Sequence, residues 1–441
     1  MRILHVIGSL DQRSGGPLRA VLDLSARSHH HGLQSEVLGF GGLNVADNPI
    51  GREEIHCLPV ERPARYCYAA ALTPWLISNL RRFDAVILHG MWLYPNWAVS
   101  RECQKMGIPY FCFPHGMLEP WSVFRQGRWK ALKKVAYWYL REKEILERSA
   151  AVFFTTARER EASTRTFPVH PRSYVVVPYG VDVGLRESEE PGVAAYPGKF
   201  ALFLGRVHPG KNVKFLIEAW AEASVPREWQ LVVAGPADPG DLRQLRRLAL
   251  KLGIAPSISF AGMVTGVEKR RLLRTARWLL LPSSHENFGI VVLEALAAGC
   301  PVAMSDQVYL SDDFPADSEV LPLELDAWVA FLRHRMVDEA WREKRRQLDA
   351  AKLTPKFRFD NVARDWCALV RGLIAAQGRG SGCADPPQAG NGPEVGTAEY
   401  GATLKRRPER LSALLEGASG VGRIPEADAQ LRARDSGHIK F

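Results

Sequence analysis

The stretch "WLLLPSSHENFGIVVLEALAAGCPVAMS" (278–305) joins an apolar run, a short polar loop, a helical segment and a second apolar run. WLLLP reads as a strand, and the helix runs from about Phe288 to Ala298, closed by Gly299 and Pro301. Both apolar runs are continuous rather than alternating, which marks strands of a parallel sheet covered on both faces. Two glutamates interrupt the pattern, Glu286 in the loop and Glu294 inside the apolar helix. Burying an unpaired carboxylate costs roughly several kcal/mol, so each needs a partner or a ligand.

The same alternation of apolar run and helical pattern extends outward. "RILHVIG", "AVILHG", "YFCFPHG", "AVFFTTA" and "SYVVVPYG" precede this stretch, followed by "ALFLGRV", "LVVAGP" and "ISFAGMV". About ten strands exceed what one doubly wound domain needs, and the Glu-, Gly- and Pro-rich "LRESEEPGVAAYPGKF" (185–200) divides them into two halves. The expected architecture is α/β, with two facing Rossmann-like domains and a cleft at the carboxyl ends of both sheets. Residues 1–184 form the first domain, 185–199 the linker and 200–360 the second domain. A helix follows over 361–378. Residues 379–441, rich in Gly, Pro, Ala and Arg, read as a disordered tail.

Length, at 441 residues, allows two domains, and 46% hydrophobic with 24% charged residues is the balance of a soluble globular chain. A net charge of +10 asks for an anionic partner: nucleic acid, anionic lipid or a nucleoside diphosphate. No zinc finger, helix-turn-helix or RNA-binding signature accompanies it, which ranks nucleic acid last. Seven scattered cysteines without a Cys-x-x-Cys point to reduced thiols in a cytoplasmic protein rather than a disulfide framework or zinc site. The opening "MRILHVIGSL" is too short for a signal peptide, and no run of about 18 apolar residues spans a membrane.

A helix amino terminus preceded by small residues attracts anions through its unpaired N–H groups and dipole. Glu286 sits just ahead of such a terminus and Glu294 on its second turn. A carboxylate accepts hydrogen bonds from vicinal hydroxyls, so the pair suits a nucleotide sugar. An amphipathic helix whose Glu294 meets an Arg, with Glu286 exposed, explains this segment equally well. A second segment, "LFLGRVHPGKNVKFLIEAW", places Arg206 and Lys211 after the first strand of the second half. Arg clamps phosphate bidentately and Lys acts as a point charge. Either would be ordinary in a solvated basic loop, but two cations meeting a helix start at one sheet edge favour a diphosphate site.

"GRVHPGKN" and "ENFGIVVLEALAAG" resemble the signature of the family 4 glycosyltransferases, retaining enzymes of the GT-B fold with a Glu-x7-Glu pair. The likeness covers residues 1 to about 375 and includes "SGGP" (14–17), "LHGMW" (88–92), "PHGMLEPW" (114–121) and "PYGVD" (178–182). It implies that the first domain takes the acceptor and the second the donor. Arg206 and Lys211 would hold the donor diphosphate, Glu294 the ribose, and Glu286 the sugar near its reacting carbon. Backbone amides of Asn287, Phe288 and Gly289 would approach phosphate and sugar. Gly15 and Gly16 would let the first loop approach the donor, although a plain βα turn explains them nearly as well. His115, at a strand end, would meet the donor hexose or developing charge, with His89 in a similar position. Two departures stand out: Tyr179 replaces the family's usual Asn, and the stretch after "SDQV" (305–308) lacks an expected Gly-rich turn.

No Asp-x-Asp occurs, so no metal or other cofactor is expected beyond the nucleotide-sugar donor. The resemblance implies attack by the acceptor hydroxyl on the face the diphosphate leaves, in exopolysaccharide or lipopolysaccharide synthesis on a glycan or polyprenyl-linked acceptor. The segment "RQGRWKALKKVAYWYLREKEILER" (125–148) carries eight Lys or Arg against three Glu, with aromatic residues interleaved. It fits either an anionic inner-membrane surface or a helix packed inward. Three rival readings stand beside this one: a sugar-nucleotide epimerase, a nicotinamide dehydrogenase and an inactive nucleotide-sugar-binding protein. "GSLDQRSGG" lacks the G-x-G-x-x-G a dehydrogenase needs, and a binding scaffold would not keep both glutamates and both cations.

Overall fold

The computed structural model describes residues 1–378 apart from 12–15, 43–49, 52–53, 126, 183–195, 197, 315–318 and 353–354. Gly15, nearly all of the expected linker and the whole expected tail therefore lie outside the described residues.

Among these residues, two all-parallel sheets form. The first contains β1 (Arg2–Ile7), β2 (Gln34–Phe40), β3 (Ile55–Leu58), β4 (Ala85–His89), β5 (Tyr110–Phe113), β6 (Ala151–Phe154) and β7 (Tyr174–Val176). The second contains β8 (Lys199–Leu204), β9 (Trp229–Ala234), β10 (Ile258–Gly262), β11 (Trp278–Leu281), β12 (Val302–Ser305) and β13 (Glu319–Leu321). Their orders are β3-β2-β1-β4-β5-β6-β7 and β10-β9-β8-β11-β12-β13. Each reverses direction of growth beside its first strand, at β1/β4 and at β8/β11. Those are the switch points where loops splay apart and a ligand crevice opens.

Continuous apolar strands imply burial on both faces, and both faces are filled. Leu4, Val6, Val86, Leu88 and Val152 enter one cluster with Leu72, Leu76 and Trp138. Their strand neighbours Ile3, Ala85, Ile87, Phe111 and Phe153 point the other way, as the two-residue period requires. That second face is closed by Trp366, Cys367 and Val370 from the last helix, Phe359–Gly378, which returns from the second half to the first. The two passages touch: Val181 N–H donates to Phe357 O (2.9 Å) and Phe359 N–H to Val181 O (3.1 Å).

The ten apolar runs are strands. The pale β2 and β3 were missed, and β13, placed in doubt by the sequence, pairs with β12. None of the six described cysteines is in a disulfide.

Candidate active site between the two sheets

The loop 282–289 leaves β11 at the second switch point and is pinned on several sides. Ser284 N–H donates to Gly210 O (2.9 Å), Glu286 N–H to Gln307 O (3.2 Å) and Tyr309 N–H to Glu286 O (3.0 Å). The helix it feeds is Ile290–Ala297, starting two residues later than expected. Gly289 sits in the left-handed region (φ 83°), and an added Cβ would meet Val308 at 3.1 Å and Glu286 at 3.2 Å. Only glycine fits there, so the turn delivering the helix start is built around it.

Opposite, the turn Pro209–Lys211 is capped by His208, whose Nδ1 accepts from Gly210 N–H (3.2 Å). Because Gly210 O also accepts from Ser284, this turn and the 282–289 loop are tied together. The result is contact between Lys211 Nζ and Glu286 Oε2. Burial, with the Arg206 guanidinium nearby, lowers the Lys211 ammonium to about 8. Arg206 itself is exposed, at the mouth of the same edge.

Glu294 pairs with Lys269 of the helix Gly266–Thr275 (Oε1 to Nζ 2.6 Å), the cation differing from the Arg of the amphipathic alternative. Its other oxygen, Oε2, is buried and has no partner. Gly16 starts the first helix, Gly16–His29, and a Cβ there would meet Ile290 at 4.0 Å. Two helix amino termini, one from each half, thus converge beside Glu286 and Glu294.

Phe288 contributes its backbone only: its ring is 2% exposed and meets Tyr179 edge-on at 5.0 Å. The Asn287 side chain turns toward the first half. Its amide nitrogen and oxygen are alike in shape, and the two carboxylates opposite demand nitrogen, which donates to Glu119 Oε1 (2.9 Å) and Glu159 Oε2 (3.2 Å). Glu159 also accepts from Gly116 N–H and Thr155 N–H, both at 2.6 Å, and burial beside Glu119 raises it to about 7. Glu119 lies 2.5 Å from His285 Nε2, and His285 stacks on Trp121 (5.2 Å, 10°). Gly116 is left-handed (φ 75°), and its Cβ position lies 3.1 Å from Asn287. The two halves are therefore latched through "PHGMLEPW" on one side and "SSHENFG" on the other.

His115 reaches the cleft with a strained backbone (φ 52°), but both ring nitrogens are engaged. Nε2 lies 2.9 Å from His89 Nδ1, and Nδ1 lies 2.7 Å from Tyr179 Oη. In this arrangement the imidazole has no nitrogen to spare for a hexose, and burial lowers its pKa to about 3. Tyr179, noted in the sequence only as a departure, holds His115.

Sequence reading thus placed Glu286, Glu294, Arg206, Lys211, Asn287, Phe288, Gly289, Gly16 and His115 at one cleft. It missed Lys269, Glu119, Glu159 and His285. No local spacing links Glu119 to Glu159 or Lys269 to Glu294; only the folded chain does. Among the described residues no three His, Cys, Asp or Glu side chains converge as a metal-binding set.

Residues 15–180 match the glycosyl transferase 4-like domain, and residues 187–319 match glycosyl transferases group 1. A D-inositol 3-phosphate glycosyltransferase of Jonesia denitrificans is 26% identical over 53% of this chain; the chain spans only 60% of that protein's length. A GDP-mannose:cellobiosyl-diphosphopolyprenol alpha-mannosyltransferase of Xanthomonas oryzae pv. oryzae is 26% identical over 69% of this chain and 79% of its own. In fold, the chain is similar to Anabaena HepE, solved in complex with UDP and glucose (TM-score 0.68, 14% identity, 84% of this chain and all of that one). That likeness establishes the GT-B arrangement of two facing parallel sheets. With a 4-like first half and a group 1 second half meeting at this cleft, the chain belongs to the glycosyltransferases.

Proposed function

We propose that the protein moves a hexose, with retention of configuration and without a metal ion, from a nucleoside-diphosphate sugar to a lipid-linked glycan in surface polysaccharide synthesis. The observation that carries this reading is Glu294 Oε2, a buried carboxylate oxygen without a partner beside two converging helix starts and the Arg206–Lys211 edge. Such an oxygen is stabilised by hydroxyl donors, and ribose supplies two of them.

Lys211, Arg206 and the start of the Ile290 helix neutralise the leaving diphosphate, the work a metal would otherwise do. No side chain is assigned as a covalent nucleophile. His115, with both nitrogens engaged, is not assigned as a base either. The departing phosphate oxygen is then the acceptor for the proton of the attacking hydroxyl, on the same face of the sugar. Glu286 lies near the reacting carbon and stabilises positive charge there. The mannosyltransferase relative names GDP-mannose and a diphosphopolyprenol acceptor, and the HepE structure holds UDP and glucose; donors of both kinds are the ones to try.

An acceptor embedded in lipid requires access to a membrane, on its cytoplasmic face where nucleotide sugars are available. Among the described residues no helix is long and apolar enough to cross one. The helix Arg128–Tyr137 and the turn after it instead expose Trp129 (79%), Leu132, Tyr139 and Leu140 amid Arg128, Lys130, Lys133 and Arg141. That is the composition of a face that lies on anionic lipid.

The test is transfer from GDP-mannose or UDP-glucose to a polyprenyl-diphosphate glycan in excess EDTA, with the anomeric configuration of the product read by NMR. Activity lost in EDTA and restored by magnesium overturns the metal-free reading, and an inverted product overturns retention. A donor isomerised without any acceptor would indicate an epimerase.

A further inference from the structure

Three histidines stand in file on the first sheet. His5 on β1, His89 at the end of β4 and His115 just beyond β5 follow from the parallel register, in which His89 lies opposite both Ile7 and Phe113. His5 Nδ1 is 2.9 Å from His89 Nε2, His89 Nδ1 is 2.9 Å from His115 Nε2, and His115 Nδ1 is 2.7 Å from Tyr179 Oη. The rings stack at 5.2 Å in both pairs, tilted 19° and 12°. His5 is fully buried and His89 nearly so, and the far atom, His5 Nε2, is buried without a partner.

A neutral imidazole has one N–H and one bare nitrogen, and each link in the file uses one hydrogen. Counting hydrogens leaves two arrangements that satisfy all three links. In one, every ring is protonated at Nδ1 and His115 donates to Tyr179. In the other, every ring is protonated at Nε2 and Tyr179 donates to His115. No mixed arrangement works, because one reversed ring puts two hydrogens, or none, into a link. Both arrangements leave His5 Nε2 unpartnered. The first also leaves the Tyr179 hydroxyl hydrogen unspent, while the second uses it in a short O–H···N bond of the length observed. Because the file ends blindly at His5, it conducts no proton to solvent.

We propose that Tyr179, His89 and His5 are positioning residues for His115, locking the three imidazoles in one shared tautomer, protonated at Nε2, with the Tyr179 hydroxyl donating to His115 Nδ1. Locked in this way, His115 meets the cleft as an uncharged ring of fixed orientation and takes no part in proton transfer. The lock itself is independent of the proposed reaction; only its contribution to turnover rests on that reading.

The test is a long-range 15N–1H spectrum of the full chain labelled at histidine, with the three rings assigned from His5, His89 and His115 variants. The expected result is three neutral Nε2–H tautomers at neutral pH. A protonated Nδ1 on any of the three, or an imidazolium, overturns the proposal. Tyr179→Phe supplies the second arm, because it removes the hydroxyl that chooses between the arrangements. All three rings, including the distant His5, should then show both tautomers in one common proportion. An unchanged His5, or unequal proportions, overturns the coupling. In transfer assays, turnover of Tyr179→Phe should fall about tenfold with the donor KM nearly unchanged, the signature of lost orientation rather than lost binding. A rise in KM alone would refute the positioning role while leaving the spectroscopic result intact.

Discussion

Lys211 closes on the Glu286 carboxylate, so the cation assigned to the diphosphate and the carboxylate assigned to the sugar hold each other. A donor arriving at this edge must share Lys211 with Glu286. Glu286→Gln should therefore leave the affinity for GDP or UDP equal or slightly higher, since the ammonium is released to phosphate. Turnover should fall roughly a hundredfold or more, the usual consequence of removing a group that meets developing charge. Calorimetric affinity and steady-state turnover measured on the same preparation separate the two effects. Unchanged turnover would sink the role given to Glu286.

Glu294 gives the contrasting case. Replacing it with Ala removes the unpartnered Oε2 and strands Lys269. Free nucleoside diphosphate should bind about ten- to a hundredfold more weakly, as befits lost hydrogen bonds to a charged group. A loss confined to the intact donor, sparing the free nucleotide, would move Glu294 from ribose to sugar.

Asn287 is the latch between the halves. Asn287→Ala should destabilise the fold by about 1–3 kcal/mol, because two buried carboxylates, Glu119 and Glu159, each lose one of their donors. Asn287→Asp tests the charge directly. It sets a third carboxyl beside Glu119 and Glu159, so its folded pKa must rise. A raised folded pKa means stability present at low pH and lost as pH climbs toward and beyond it. The Asp variant should approach wild-type melting near pH 5 and fall well below it at pH 8. Equal deficits at both pH values would contradict the contact.

Glu142 carries a second pH signal, away from the cleft. It is fully buried, accepts from Trp92 N–H at 2.6 Å, and burial pushes its carboxyl to about 8, against an ordinary 4.5. Between those values the folded chain holds a proton that the unfolded chain has released, so stability declines as pH rises through the window. Glu142→Gln removes that decline. Denaturation midpoints at pH 5 and pH 9 should show the variant gaining on the wild type by several kcal/mol at the higher pH, as an order of magnitude.

The ease of reading the fold and the opacity of parts of the site have one physical origin. Runs such as AVILH and WLLL declare themselves because both faces of a parallel strand are buried. β2, QSEVLGF, opens on Gln, Ser and Glu and contains Gly39, yet six of its seven residues are buried. Its burial comes from tertiary neighbours that no local period reveals. β3 is a half-exposed edge with no run at all. In the cleft, Glu286, Glu294, Arg206, Lys211 and His115 were legible because strand ends and helix starts fix where they point. Glu119 and Glu159 were not, since 40 residues separate them in sequence and they meet through Asn287 in the fold. His5, a polar residue within an apolar strand, acquires a role only where the fold lines it up with His89 and His115.

The returning helix Phe359–Gly378 has a consequence for synthesis on the ribosome. One face of the first sheet, with Ile3, Ala85, Ile87 and Phe153, is closed in large part by Trp366, Cys367 and Val370. Those side chains emerge nearly two hundred residues after β7 has left the tunnel. Until then the nascent first half carries an apolar wall that its own first helix, through Leu24, covers only in part. A fragment stopped near residue 182 would keep that wall for good and should self-associate, so the two halves cannot be separated by a cut between the sheets alone.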